Sequence, residues 1–425
     1  MNNRQERIKT FSNFGFGLVL HWGLYSLLER GEWVQHNHKY DTAAYKNLIN
    51  DFTASEFNAA QIAALARKSG AGFIILTTRH HDGFSLYDTR GLNEWDAPHS
   101  AARRDLVAEF VEACRNEGIM PIFYHTTLDW HWRGKTTWDL DEAEFKDYLD
   151  YLLSSVEILC TQYGPIGGLV FDGNWSRPDM NWNYDRLYGM IRKHQPHALI
   201  MDNTGLERPG VLEHPEIDVV TFEQHAVTAS DKPYGEDIAA MRWLTLNDHW
   251  GVAPHDFNYK SGREILEGLT RSRRYGAVYT LNLGPLPNGG IDELDRAVLA
   301  RIGRWMDLYG EAVKEGRVEM YQCETVQENR AVPNSDFVRS AGNGGKGYLF
   351  CHNLGIRGQE NVTWGQQGSS LRRISSCPKK IRSIYWMDTK EELEFKQEGT
   401  SLTVNCSGFS YGENHVVRVA VLVWD

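Results

Sequence analysis

Two carboxylates and a surrounding set of histidines and aromatic residues carry the chemistry of this chain. Asp172 closes the short apolar run Gly168-Leu-Val-Phe and is followed by Gly173, which lets the backbone turn sharply. Glu223 closes a second run, Asp218-Val-Val-Thr-Phe. Two carboxylates facing each other across a sugar pocket are the minimum for glycoside hydrolysis. One attacks or activates water, and the other protonates the leaving oxygen. An Asp at a strand end can equally be a cap that accepts backbone N–H bonds, so Asp172 alone admits both readings. Near the pair in kind are side chains able to bond hydroxyls: His21, Glu32, Trp33, His80, His81, Tyr124 and His125. Trp22, Trp33, Trp130, Trp175 and Trp250 stand beside the polar clusters. Aromatic faces stack on the C–H faces of a pyranose, and bulky rings also simply pack a barrel mouth.

Other chemistries lack their signatures. His80 and His81 are adjacent, and in a strand adjacent side chains point to opposite faces, a poor arrangement for chelating one ion. His36 and His38 lie in a polar loop, where exposure accounts for them. With no His-Glu-x-x-His and no Cys-x-x-Cys, neither a metal nor a cofactor is expected. No nucleophile elbow, Walker loop or dinucleotide glycine pattern follows a strand; Gly15-Phe-Gly17 precedes one. A net charge of -11, with no basic run longer than Arg271-Ser-Arg273-Arg274, argues against a nucleic-acid partner. No stretch of about 18 apolar residues exists, which excludes a membrane-spanning helix. The first seven residues lack the apolar region of a signal peptide, so a cytoplasmic location is expected. The six cysteines (Cys114, Cys160, Cys323, Cys351, Cys377 and Cys406) have neither metal nor redox spacing. They read as reduced core thiols, and the last four could pair only in an exported protein. The oligomeric state is not legible.

Bringing these groups to one place requires elements that all end there. Eight apolar runs recur in the first three hundred residues, and each ends in a polar cluster. Leu18-Val-Leu ends in His21, Phe73-Ile-Ile-Leu leads to His80-His81-Asp82, and Pro121-Ile-Phe leads to Tyr124-His125. The fourth run ends in Asp172, Ala198-Leu-Ile-Met in Asp202-Asn203, and the sixth run in Glu223. Trp243-Leu-Thr-Leu ends in Asn247-Asp248, and Val278-Tyr-Thr-Leu in Asn282. Buried parallel strands read as continuous apolar runs, and a barrel of them carries its active site at their C-terminal ends. The predicted fold is therefore α/β, with a (β/α)8-type barrel.

Amphipathic segments fill the gaps: 53–69, with Ser55 as candidate cap, then 105–116, 141–163, 185–193 and 262–275. The polar stretch from His225 to Arg242, with Pro233 and Gly235, reads as a long loop. A last helix from Glu293 to about Tyr309 presents Leu294, Val298, Ile302, Trp305 and Leu308 as its apolar face. Beyond Gly316, alternating segments at 346–352, 381–386, 401–406 and 415–424 are spaced by Gly, Asn and Ser. They read as a β-sandwich. The predicted organisation is a catalytic barrel over 1–316 and a C-terminal β-sandwich accessory domain over 317–425.

Several motifs occur in register over residues 14–315. They are Phe16-Gly17-x-x-x-His21-Trp22-Gly23-x-Tyr25-Ser26, Gly31-Glu32-Trp33, and His80-His81-Asp82-Gly83-Phe84-Ser85-Leu86-Tyr87-Asp88. Tyr124-His125 with Asp129-Trp130 follows, then Phe171-Asp172-Gly173, then Leu281-Asn282-Leu283-Gly284-Pro285 with Gly289-Gly290-Ile291. Together they resemble the retaining α-L-fucosidases of glycoside hydrolase family 29. The resemblance implies release of terminal α-L-fucose from small fucosides or fucosylated oligosaccharides by double displacement. Asp172 matches the nucleophile that forms a covalent fucosyl-enzyme. His21, His80, Tyr124 and Trp175 or Trp33 match positions that hold the fucose hydroxyls, with Glu32 nearby; Trp250 is a candidate wall for the 6-methyl group.

The general acid/base of that family comes from a variable region downstream. Many members carry Trp-Glu before a segment similar to Thr245-Leu-Asn-Asp-His-Trp-Gly; here that place is Ala240-Met241. Glu223 is the choice, with Glu213, Glu216 and Glu236 as rivals. It should hold its proton near neutral pH through burial or the Asp172 charge, and lie about 5–5.5 Å from Asp172. The alternatives are an inert fucose- or glycan-binding barrel that has lost its acid, and a glycosidase for a related sugar such as an α-L-galactoside.

Overall fold

A computed structural model describes residues 3–228, 233–314, 316–327, 330–342, 344–357 and 370–425. Eight parallel strands close into a barrel: β1 (Phe16–Leu20), β2 (Phe73–Arg79), β3 (Met120–Thr126), β4 (Gly168–Asp172), β5 (Leu199–Asn203), β6 (Val219–Glu223), β7 (Ala239–Leu244) and β8 (Val278–Leu283). Strand β8 pairs back with β1. Strands β1, β2, β4, β5 and β8 are buried at every position, which is why they read as unbroken apolar runs. One phase of the strand alternation fills the barrel: Val19, Ile75, Ile122, Tyr124, Val170, Met201, Val219 and Met241 share one cluster. The other phase, with Leu18, Ile74, Phe123, Leu169 and Ile200, packs under the helices. Gly17 is required by this filling, because a Cβ there would lie 2.2 Å from the Phe73 ring.

Helix α1 (Asn3–Phe14), which the sequence patterning did not reveal, packs Phe11 on Phe73 with ring centroids 5.0 Å apart. The outer helices are α2 (Ala59–Lys68), α3 (Leu106–Asn116), α4 (Glu142–Gln162), α5 (Tyr184–His194), α6 (Gly262–Arg274) and α7 (Glu293–Lys314). Capping boxes fix the starts of α4 (Asp141 with Glu144) and α6 (Ser261 with Glu264).

Three expectations about these elements are corrected. Helix α2 is capped by Asn58 and not by Ser55. Residues just before it turn so that Phe57 can stack on Trp22, ring centroids 4.9 Å apart. Strand β7 begins at Ala239, four residues before the apolar run that was taken to mark it, and Ala240-Met241 is buried strand and not loop. Arg242, half-buried, interrupts the apolar pattern and hides the first half of that strand. The stretch between β6 and β7 has no helix among its described residues. Helix α7 runs on to Lys314, and Leu294 and Leu308 on its expected apolar face are 44 % and 37 % exposed. Its buried stripe is Leu299, Ile302, Trp305, Met306, Tyr309, Ala312 and Val313. The rotation follows from burial on two sides. A Cβ at Gly303 would lie 2.4 Å from the Lys68 carbonyl of α2, and the Trp305 indole donates to the Val417 carbonyl in the C-terminal sheets at 3.0 Å.

Two antiparallel five-stranded sheets follow α7. One is ordered Arg330–Pro333, Gln322–Gln327, Leu371–Ser375, Ser401–Asn405, Phe395–Glu398. The other is ordered Ile381–Trp386, Val417–Trp424, Lys346–His352, Phe337–Ser340, Arg317–Glu319. Val338, Leu349, Ile384 and Leu422 of one sheet share a core with Ile374, Leu402 and Val404 of the other, making a β-sandwich. All six cysteines are buried free thiols. Among the described residues no helix is long and apolar enough to cross a membrane.

Asp218, immediately before β6, is fully buried and accepts both Nε and Nη2 of Arg7 from α1 (2.9 Å each) and Nη2 of Arg192 from α5 (2.8 Å). Replacing it with Ala leaves the part-buried Arg7 guanidinium without its carboxylate partner and removes one bond from Arg192. Asp218→Ala is expected to lower stability by about 3–5 kcal/mol, read as a fall in the urea midpoint.

Candidate active site

Strand pairing brings the functional side chains together at the C-terminal mouth. Asp172, the last residue of β4, is paired with Thr126 of β3 on one side and Asn203 of β5 on the other. Its carboxylate is 9 % exposed and receives three hydrogen bonds. The Tyr124 hydroxyl donates to Oδ2 at 2.7 Å; the Trp175 indole and the Asn203 amide donate to Oδ1 at 2.9 and 3.0 Å. A carboxylate with donors on both oxygens is held in one orientation, with its remaining lone pairs free to face the pocket.

Glu223 ends β6, and its Oε2 accepts from the same Asn203 amide nitrogen at 2.7 Å. The oxygens that share this nitrogen therefore cannot be further apart than the two bonds laid end to end. One amide group therefore spans the two carboxyls. Burial, then the negative charge of Asp172, push the Glu223 carboxyl up to about 7. Glu32 adds to this in the same direction. Glu223 thus keeps its proton near neutral pH, as a general acid must.

Three imidazoles face this pair. His21 Nδ1 bonds Asn282 Oδ1 at 2.7 Å, while the Asn282 amide nitrogen donates to the Trp250 carbonyl at 2.7 Å. Asn282 Oδ1 is thereby fixed as an acceptor, so His21 carries its proton on Nδ1 and presents a bare Nε2. His81 Nδ1 bonds Thr126 Oγ1 at 2.7 Å, and that hydroxyl spends its own proton on the Leu128 carbonyl at 2.6 Å. His81 is therefore also an Nδ1–H tautomer, with Nε2 lying 3.7 Å from Asp172 Oδ2. His80 stacks on Tyr124, ring centroids 5.7 Å apart. The expectation that His80 and His81 point to opposite faces is corrected. A register shift between Thr77 and Arg79 ends β2 before them, and both rings lie on the Tyr124–Asp172 side.

Tryptophans form one wall. Trp175 is 36 % exposed and stacks beside Trp33, centroids 6.4 Å apart; Trp33 in turn meets His81 at 5.4 Å and Trp130 at 5.1 Å. On the other side Trp250 lies 4.8 Å from the His21 ring and 5.3 Å from Trp243. Glu32 reaches the same area, but its Oε2 accepts the backbone N–H groups of Trp250 (3.0 Å) and Gly251 (2.9 Å). It holds the loop that carries Trp250.

Not every candidate converges. His125 points outward, because Tyr124 beside it points inward: its ring bonds Thr78 (3.0 Å) and Ser155 of α4 (2.9 Å). Trp22 is core, packed on Phe52 and Phe57. Of the rival acids, Glu213 is tied to Arg208, Glu216 to Arg192 and Glu236 to Arg317. Asn203 and Asn282 were not singled out from sequence as site residues. The available signal was position, since each ends an apolar run as Asp172 does. Among the described residues no group of three or more His, Cys, Asp or Glu is placed to hold a metal ion.

A family model described as alpha-L-fucosidase matches residues 1–311. The tissue alpha-L-fucosidase of Mus musculus is 26 % identical over 354 residues, 74 % of this chain and 74 % of that protein. The solved structure of alpha-L-fucosidase isoenzyme 1 from Paenibacillus thiaminolyticus superposes with a TM-score of 0.80 at 27 % identity, covering 100 % of both chains. An alpha-L-fucosidase of Bacteroides thetaiotaomicron, solved as a trapped covalent intermediate in complex with 2-fluoro-fucosyl fluoride, superposes with a TM-score of 0.77 at 18 % identity. It covers 99 % of this chain and 96 % of that one.

Burial lowers His21 to about 3 and His81 to about 4, against 6.5 for an exposed imidazole, and also lowers His80 well below that value. In the unfolded chain these rings protonate near 6.5. Between there and about 4 the unfolded state binds more protons on these rings, so their own contribution to stability falls as pH is lowered. Imidazole 15N NMR is expected to show the three rings neutral at pH 5 in the folded protein. A His81 that titrates near 6.5 in the folded protein contradicts this.

Proposed function

Because the chain belongs to the alpha-L-fucosidase family and is a glycoside hydrolase, we propose that it removes terminal α-L-fucose from small fucosides or fucosylated oligosaccharides with retention of configuration. The observation that carries the reading is the Asp172–Glu223 pair, two carboxyls within reach of one amide nitrogen, one donor-rich and one pushed up to about 7. In the first displacement an Asp172 oxygen bonds the anomeric carbon as the C1–O bond breaks, and the Glu223 proton passes to the leaving oxygen. In the second, Glu223 takes a proton from water as that water attacks C1 and the Asp172 carboxylate departs. The covalent intermediate trapped in the Bacteroides thetaiotaomicron fucosidase supports this route.

The bare Nε2 atoms of His21 and His81 accept sugar hydroxyl protons, and His80 and the Trp33–Trp175 wall complete the contacts. Trp250 offers its indole face to the 6-methyl group. Such an apolar wall rejects an added hydroxyl only weakly, so an α-L-galactoside should be a slower substrate by roughly 10–100-fold and not an inert one.

Hydrolysis of 4-nitrophenyl α-L-fucoside, followed by proton NMR, is expected to yield the α-anomer of fucose first; initial β-anomer contradicts the proposal. Asp172→Ala should lose about 10^4-fold or more in kcat. Azide separates the two roles. Glu223→Ala with azide should regain turnover and give the α-fucosyl azide, whereas Asp172→Ala with azide should give the β-anomer from a single inversion.

A further inference from the structure

One amide group joins the two carboxyls. Nδ2 of Asn203 lies 3.0 Å from Asp172 Oδ1 and 2.7 Å from Glu223 Oε2, and its two hydrogens serve the two oxygens separately. The amide cannot turn over. Its Oδ1 accepts from the Gly205 backbone N–H at 3.3 Å, and the residue is 2 % exposed. A reversed amide would set its oxygen against two carboxyls and its hydrogens against a backbone donor. The strand pairing of Asn203 with Asp172 fixes its height in the barrel.

We propose that Asn203 is a positioning residue that acts through both carboxyls at once. It holds Glu223 Oε2 as an acceptor, so that the acid proton resides on Oε1, and it ties that orientation to the charge of Asp172. The inference rests on the roles given above to Asp172 and Glu223. When the ester bond forms, Asp172 loses its negative charge, and Glu223 gains one as its proton leaves from Oε1. The charge has moved from one end of the Asn203 amide to the other, and it returns in the second displacement. A fixed donor that faces the anion at both stages needs no rearrangement between them. Among the described residues only Asn203 is seen to bond both acids: Trp175 donates to Asp172, and the Trp250 indole serves Glu223.

The test is the pH dependence of kcat/KM for 4-nitrophenyl α-L-fucoside with wild type, Asn203→Ala and Trp175→Phe. The groups that face Glu223 are Asp172 from β4, Tyr124 from β3, Glu32 from the loop after β1, and the Trp250 indole. His21 and His81 lie beyond them, and none of these groups is altered in Asn203→Ala. A carboxylate that loses a donor holds its proton more tightly. Both limbs of the bell are therefore expected to move up in Asn203→Ala, each by about one pH unit. In Trp175→Phe the acidic limb alone should move.

Proton placement has its own readout. α-L-Fucosyl fluoride needs no proton on its leaving group, so Asn203→Ala should lose activity on both substrates but about 10-fold more on a fucosyl disaccharide than on the fluoride. Bell limbs that stay in place, movement of one limb only, or equal losses on the two substrates would overturn the proposal. Asn203→Ser, shorter but still polar, serves where Asn203→Ala does not fold. A wild type inactive on every fucoside would sink the hydrolase roles instead. Carboxyl 13C NMR titration of wild type and Asn203→Ala then decides the bridge by itself: joint upward movement of both signals supports it, and anything less overturns it.

Discussion

Two carboxyls set close together in a water-poor pocket cannot both be charged without a large cost, and the rest of the barrel mouth follows from that constraint. The protein meets it by unequal treatment. Asp172 receives hydrogen bonds from three different elements, β3, β5 and the turn after β4. Glu223 receives fewer, sits beside the Asp172 charge and keeps its proton to higher pH. The difference is created by strand order. Strands β4, β5 and β6 are consecutive, and the Asn203 side chain between the two acids bonds both.

The two ends of the barrel treat buried charge in opposite ways. At the base, Asp218 is matched by arginines from two helices, and the match contributes stability. At the mouth, no arginine or lysine touches Asp172 or Glu223 among the described contacts; their partners are neutral donors. Neutral donors stabilise an anion without cancelling it, so a developing positive charge on a sugar ring still meets a negative field. The division of labour between ends is that of parallel barrels generally. The C-terminal sheets extend the scaffold from outside: Arg339 donates to the Arg273 carbonyl at the end of α6, and Trp305 of α7 donates to Val417.

Much of this was legible in the residues. Strands that are buried on both faces cannot hide, and the positions of Asp172, Glu223, His21 and Tyr124 followed from where the apolar runs stopped. The failures have physical causes. Arg242 lies in β7 with part of its length exposed, and one charge was enough to disguise half a strand. Helix α7 is covered from two directions, so its buried stripe is wider than a single amphipathic face. His125 was grouped with Tyr124 by adjacency, although strand alternation separates them. Asn203 carried no signal of its own, because an amide at a strand end looks the same whether it caps a turn or joins two acids. Glu32 was legible as a group able to bond a hydroxyl but not as the anchor of a loop more than two hundred positions away.

The tautomers of His21 and His81 carry a consequence for chemical recognition. Each ring spends its only proton on a neighbour, Asn282 in one case and Thr126 in the other, and turns a lone pair to the pocket. A wall of lone pairs can receive protons but cannot give them. It reads a sugar by the hydrogens its hydroxyls have to offer, and a hydroxyl capped by an acyl, methyl or sulfate group has none. An alcohol that enters beside these two rings must bring its own proton, and an ether or ester oxygen in the same place would set lone pair against lone pair.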